Sequence, residues 1–113
     1  MVDVAGMVRS FDYAADEALR SSVERGMGTT LALDPWAHTF ETWCAQRYVH
    51  AYLTRIAKTE ILPDDPADTA ALLDIAIIQK AAYEVRYEIG HRPDRIGVPW
   101  AALQRMITPT PTL

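Results

Sequence analysis

Cysteine and long apolar runs are both scarce in this sequence of 113 residues, and each scarcity excludes a class of protein. A single cysteine, Cys44, cannot form an internal disulfide, and its apolar neighbours predict a small core residue in a reducing cytoplasm. The most apolar run, Ala70 to Ile78, contains Asp74 and is far shorter than the roughly 20 residues that span a bilayer. We therefore expect no membrane segment, and no signal peptide, since Asp3 and Arg9 interrupt the N-terminal apolar residues.

Basic charge is also limited. The formal net charge is −4, so the sequence lacks the basic stripe that nucleic-acid binding requires. Half of the residues are hydrophobic, which argues against disorder. A chain of this length builds one domain, too small for a complete two-lobe kinase or a barrel enzyme. No nucleophile, general base or metal-ligand cluster stands out in the spacing.

Helical periodicity runs through the chain, and no segment alternates as a strand would. The predicted helices are Asp3 to about Arg25, Pro35 to about Ile61, Pro66 to Ile89, and Pro99 to Ile107. Asp3 and Asp34 are the predicted N-caps of the first two helices, and Gly90 is the predicted stop of the third. The fold class is therefore all-α, with three long helices and a short C-terminal helix in a domain of residues 1–107, followed by a flexible tail over 108–113.

The third helix is predicted to carry two different faces. An ordinary core stripe follows from helical spacing of Ile75, Ile78, Ala82, Val85 and Ile89. The opposite face carries Lys80, Tyr83, Glu84, Tyr87 and Glu88. Tyrosine rings pack on the C–H faces of sugars while carboxylates accept from hydroxyls, so this face suits a polyhydroxylated ligand. From the residues alone, the interpretation favoured first is that the tyrosines pack on a neighbouring helix and the glutamates pair with Arg86 or Arg92.

Two segments resemble one family of enzymes. The run Gly6 to Ala15, GMVRSFDYAA, resembles a segment of bacterial maltokinases and of the kinase part of trehalose synthase–maltokinase fusions. The run Gln79 to Glu88, followed by Arg92-Pro93-Asp94, is similar to a second block of that family. The similarity extends from Asp3 to about Met106, and glucosamine kinases of the same superfamily share the region.

The resemblance implies an aminoglycoside-phosphotransferase-like fold, of which this chain would be the C-terminal helical subdomain. Such enzymes use ATP and Mg²⁺ to phosphorylate a sugar, in maltokinase the anomeric hydroxyl of maltose, in trehalose and glycogen metabolism. The motifs that hold nucleotide and metal and that catalyse phosphoryl transfer are not recognisable in this chain. We therefore expect the separate chain to bind no cofactor and to be inactive as a kinase.

The resemblance also implies that this subdomain lines the acceptor-sugar side of the kinase cleft. The sugar-binding residues expected first are Lys80, Tyr83, Glu84 and Tyr87, and those of second rank are Gln79, Glu88 and Arg95. Gln79 and Arg95 depart from the family's usual Glu and Trp, so a sugar related to maltose, rather than maltose itself, could be the ligand.

A macromolecular partner is expected as well. A subdomain separated from its kinase would expose former contact surface, with Trp36, Trp43, Tyr83 and Tyr87 as candidates. That surface would bind the missing kinase part or a second copy of the chain. The alternative hypothesis is a stand-alone helical interaction module that pairs with a split kinase or a trehalose synthase.

Overall fold

The computed structural model of the chain describes residues 1–57 and 59–108, where every regular element is helical. The elements are α1 (Val2–Glu24), α2 (Thr30–Ile56), α3 (Pro66–His91), a 3₁₀ turn (Pro93–Arg95) and α4 (Gly97–Ile107). The predicted all-α fold of three long helices and a short fourth is confirmed. No helix within these ranges has the length and apolarity needed to cross a membrane. Apart from Thr108, the predicted tail lies outside the described residues.

The first helix begins earlier than its predicted cap. The N–H of Ala5 donates to the carbonyl of Met1 at 2.9 Å, so Asp3 lies inside the first turn and is not the N-cap. In the first turn its carboxylate still interacts favourably with the positive end of the helix dipole. The helix ends one residue before Arg25, and Gly26 then adopts a φ of 73°, a conformation that glycine reaches at little cost.

The predicted start and end of the second helix are both wrong. Thr29 has an extended backbone and its hydroxyl accepts from the N–H of Ala32 at 3.2 Å, so α2 begins one turn before Asp34. Pro35 lies within the helix, which costs it one backbone hydrogen bond. The helix stops at Ile56 rather than Ile61 because Thr59 folds back, with its N–H and its hydroxyl both donating to the Ile56 carbonyl.

The predicted start of the third helix is confirmed. The Asp65 carboxylate accepts from the N–H of Ala67 at 2.9 Å, and Pro66 occupies the first helical position. Gly90 does not stop the helix, which continues through His91 until Pro93 prevents another turn. The fourth helix begins at Gly97, two residues before its predicted start at Pro99.

The first helix is the centre of the fold. It packs against α2, α3 and α4, whereas α2 and α3 do not pack against each other within the described residues. The buried apolar side chains are few and small: Val4, Ala5, Ala15, Ala76, Ala81, Val98 and Ala102. No described residue of α2 is buried, and Cys44 is only half-buried instead of lying in the core.

The third helix faces the opposite way from the prediction. Of the expected core stripe, Ile75, Ile78 and Ile89 are 52%, 37% and 60% exposed. The predicted polar face turns toward α1 instead, with Glu88 fully buried and the Glu84 side chain 12% exposed. Periodicity finds both faces but does not say which one the rest of the chain covers. Here Arg9 and Arg92 pair with the two carboxylates, which lowers the cost of burying their charges.

Candidate functional site

A shallow cleft opens between α3 and the first half of α1, and we call it the tyrosine cleft. Its volume is about 250 Å³, and its lining residues are Tyr13, Lys80, Tyr83, Glu84, Tyr87, Glu88 and Arg92. The structure thus brings together all four residues expected first for sugar binding, along with Glu88 from the second rank. Helical spacing explains why, since the five residues on α3 lie on one face over three turns.

One wall of the tyrosine cleft is a row of flat side chains. The rings of Tyr83 and Tyr87 are stacked with centroids 6.4 Å apart and an interplanar angle of 26°. The ring of Tyr87 also stacks on His91 at 4.2 Å, while the Lys80 ammonium lies 5.0 Å from the centre of the Tyr83 ring. The tyrosines remain 58% and 44% exposed, so part of each side chain stays open to solvent.

The floor of the cleft contains an ion pair between two helices. Nε of Arg9 donates to Oε1 of Glu84 at 2.6 Å, and its Nη1 donates to Asp12 at the same distance. Arg9 is 3% exposed and its Nη2 has no acceptor among the described residues. Burial lowers the pKa of Arg9, but the hydrogen bond with Glu84 and the charges of Asp12 and Glu84 outweigh it and raise that pKa. Arg9 therefore stays charged, and its hydrogen bond fixes the Glu84 carboxylate in place.

The second carboxylate of the cleft, that of Glu88, is fully buried and paired with Arg92. Oε1 of Glu88 accepts from Nε and Nη2 of Arg92 at 3.3 and 3.2 Å. Oε2 lies 3.2 Å from Nη2 of Arg92 but makes no hydrogen bond within the described residues, although it is buried. A buried acceptor without a hydrogen bond is costly, and the positive charge of Arg92 beside Oε2 offsets part of that cost.

Tyr13 is a residue of the cleft that the sequence does not single out. Its ring lies between two guanidinium groups, 5.8 Å from Arg9 and 5.9 Å from Arg92. Burial and the carboxylates of Glu84 and Glu88 raise the pKa of Tyr13 to about 12, against the smaller opposing effect of the arginines. The hydroxyl is therefore a protonated donor throughout the physiological range.

The sequence holds only partial signals for these additional residues. Tyr13 and Arg92 both belong to the two family-like segments, but nothing local indicates that α1 and α3 meet there. Two second-rank residues lie elsewhere. Gln79 is exposed and does not line the cleft, and Arg95 is held by Glu17 at 3.0 Å and Asp16 at 3.3 Å.

A larger cavity of about 440 Å³ lies between α1, α2 and α4. Its acidic lining is mostly neutralised, because Asp12 contacts Arg105 at 3.2 Å and Asp16 contacts Arg20 at 2.8 Å. The remaining pair, His38 and Glu41, is 3.7 Å apart. Asp12–Arg105 joins α1 to α4, whereas the other two contacts lie within single helices. None of the three leaves a buried polar atom without a partner as Glu88 does.

Metal chemistry has no evident place in the part of the chain that the structure describes, since no three His, Cys, Asp or Glu side chains converge there. Glu88 and His91, spaced as in a helical metal motif, are engaged by Arg92 and by the Tyr87 carbonyl. In comparisons with known proteins, no family model matches this chain. No solved structure matches it either.

Proposed function

We propose that this chain is the acceptor-sugar-binding subdomain of a maltokinase-like, ATP-dependent sugar phosphotransferase of the cytoplasm, and that the sugar binds in the tyrosine cleft. The observation that carries the proposal is the convergence of Lys80, Tyr83, Glu84 and Tyr87 on one cleft. Stacked rings beside charged hydrogen-bonding groups are what recognition of a sugar requires, because a sugar has both C–H faces and hydroxyls.

Each group of the cleft has a separate role in this binding mode. The exposed parts of Tyr83 and Tyr87 would pack on the C–H face of a pyranose ring. The Lys80 ammonium and the Tyr13 hydroxyl would donate to ring or hydroxyl oxygens.

The separate chain should bind sugar weakly and should not phosphorylate it. A cleft of about 250 Å³ is below the roughly 300 to 1,000 Å³ of most ligand sites, so we expect a Kd on the order of 1 mM. Phosphoryl transfer requires a phosphate-cradling loop, an anchoring lysine and acidic Mg²⁺ ligands. We assign none of these roles to residues of this chain, so ATP and Mg²⁺ would be held by another part of the kinase.

Calorimetric titration with maltose, glucose and glucosamine tests the proposal. At least one of the three should bind, and Tyr83→Ala should weaken binding about tenfold by removing one stacking face. Trp43→Ala is a matched control, because Trp43 is also exposed, at 60% against 58%, and lies on α2 away from the cleft. Circular dichroism should show unchanged helicity in both variants.

Two results would contradict a sugar site in this cleft. One is the absence of binding heat and of chemical-shift changes with all three sugars at concentrations well above 1 mM. The other is equal affinity of the wild type and Tyr83→Ala, which would place any sugar elsewhere on the chain.

A second function, a helical module that docks onto a kinase or a trehalose synthase, is favoured by a different observation. A groove of about 420 Å³ lies between α2 and α3, and its lining is mostly apolar: Val8, Ala45, Gln46, Val49, His50, Leu53 and Ile77. Since α2 and α3 do not pack on each other, the groove is open along its length to a partner helix.

The two functions respond differently to mutation of the groove. Leu53→Glu should abolish docking of a co-expressed kinase part or trehalose synthase and leave sugar binding unchanged. Tyr83→Ala should weaken sugar binding and leave docking unchanged. Docking that survives Leu53→Glu would exclude the groove as the binding surface.

A further inference from the structure

The outward face of α3 carries an unbroken apolar stripe. Its members are spaced alternately by four and three residues, and we call them the α3 seam: Ala71, Ile75, Ile78, Ala82, Val85 and Ile89. This is the spacing at which helices pair side by side. Ile75, Ile78 and Ile89 are 52%, 37% and 60% exposed, so nothing in the described chain covers the seam.

The chain exposes more surface than a compact monomer of its mass. A compact monomer of 12.6 kDa exposes about 6,200 Å², whereas this chain exposes 8217 Å². The six residues outside the described ranges could contribute at most about 1,000 Å² as fully extended chain. At least about 1,000 Å² of additional exposure therefore belongs to the described residues, and a stable interface needs about 800 Å² from each partner.

We propose that two copies of this chain pair through the α3 seam, with the two helices antiparallel. The seam is complementary to itself in that arrangement, because a two-fold axis near position 80 sets small residues against large ones. Ala82 faces Ile78 of the second copy, Ala71 faces Ile89, and Ile75 faces Val85. Parallel pairing would instead set Ala71 against Ala71 and Ala82 against Ala82 and leave cavities in those layers.

The flank of the seam is also compatible with an antiparallel pair. Gln79 meets Gln79 of the second copy at the axis, where two neutral amides can hydrogen-bond to each other. Arg86 lies opposite Leu72 of the second copy, one turn from its Asp68, so its guanidinium approaches a carboxylate of opposite charge. No two like charges are brought together at the axis.

Pairing through the seam leaves the tyrosine cleft open. At 100° per residue, the cleft-lining positions of α3 lie on the far side of the helix from the seam. Both copies would keep an accessible cleft, so dimerisation and sugar binding can succeed or fail independently.

Sedimentation equilibrium tests the proposal with a matched pair of variants. The wild type should have twice the monomer mass of 12.6 kDa, and Ile78→Glu should raise the dimer Kd at least about 100-fold because it buries two carboxylates at one interface. Ile107→Glu changes an isoleucine of α4 that is 72% exposed and should leave the Kd unchanged. Circular dichroism confirms that each variant is folded.

Cysteine cross-linking tests the orientation in a Cys44→Ser background. Gln79→Cys should oxidise to a disulfide-linked dimer, because the residue meets itself at the axis. Leu72→Cys and Arg86→Cys should cross-link when mixed and not when either is alone. A folded wild-type monomer at millimolar concentration, a dimer indifferent to Ile78→Glu, or efficient self-linking of Leu72→Cys would each overturn the proposal. Binding of a different protein to the seam, with no homodimer formed, would also overturn the proposal.

Discussion

The ion pair between Arg9 and Glu84 is the strongest polar contact between α1 and α3, and Glu84→Gln tests how much it stabilises the fold. The substitution keeps the shape of the side chain and removes its charge. Arg9 is 3% exposed, so its guanidinium cannot turn to water when that carboxylate is lost. Removing one partner of a buried pair usually costs about 3 to 5 kcal/mol.

The expected cost here is smaller because Arg9 keeps a second carboxylate. Nη1 remains 2.6 Å from Asp12, although Asp12 is shared with Arg105 at 3.2 Å. We therefore expect Glu84→Gln to lower the free energy of unfolding by about 2 to 3 kcal/mol. In a domain of this size that corresponds to a fall in Tm of about 8 to 12 °C.

Urea denaturation of a double-mutant cycle measures the effect. The cycle comprises Arg9→Met, Glu84→Leu and the double variant. The double variant should cost less than Glu84→Leu alone, since it leaves no buried charge without a partner. Glu17→Gln is the control. Glu17 contacts Arg95 at 3.0 Å but its side chain is 66% exposed, so its loss should cost less than about 1 kcal/mol.

Either of two outcomes would refute this account of the α1–α3 contact. Glu84→Gln within about 0.5 kcal/mol of the wild type would mean that the ion pair contributes no more than an exposed one. Additive costs in the cycle would mean that Arg9 and Glu84 are not energetically coupled.

Two further predictions concern a helix cap and a titrating side chain. Asp65→Ala should lower the free energy of unfolding by about 1 kcal/mol in thermal denaturation, because α3 loses its N-cap. Asp64→Ala, beside it in the loop, should lower it clearly less. Equal losses in the two variants would contradict the assigned cap. Tyr13 has a folded-state pKa of about 12 against an ordinary 10.0, through burial and the carboxylates of Glu84 and Glu88, so the folded chain holds the phenol proton longer than the unfolded chain. The free energy of unfolding should therefore fall as pH rises from about 10 to about 12, and Tyr13→Phe should remove that fall; a fall that persists in the variant would assign it to another group.

Local features of the sequence were enough to predict the helices and one complete boundary. Asp65-Pro66 is a cap and first-position pair that acts within a single turn, so its effect does not depend on the rest of the chain. Asp34-Pro35 carries the same signal, yet Thr29 caps α2 one turn earlier. Identical local signals differ in outcome where a competing cap lies just upstream.

The membership of the tyrosine cleft was partly predictable for the same reason. Lys80, Tyr83 and Tyr87 share a face through helical spacing alone, whatever the helix packs against. Tyr13 joins them from α1, 67 residues earlier than Lys80 in the chain, and no periodicity within α3 could identify it. Gln79 is next to Lys80 in sequence but lies outside the cleft, because neighbouring residues point about 100° apart on a helix.

By itself, the sequence determined the all-α class, the number of helices and the two faces of α3, because hydrogen bonds and side-chain spacing within one helix depend only on near neighbours. Tertiary structure alone decided which face of α3 is buried. Arg9 on α1 pairs with Glu84 where the polar face of α3 meets α1, while the isoleucines at 75, 78 and 89 remain at the surface. Whether a helix face is buried depends on which elements pack against it. A contact between residues 9 and 84 forms only when the chain folds back on itself.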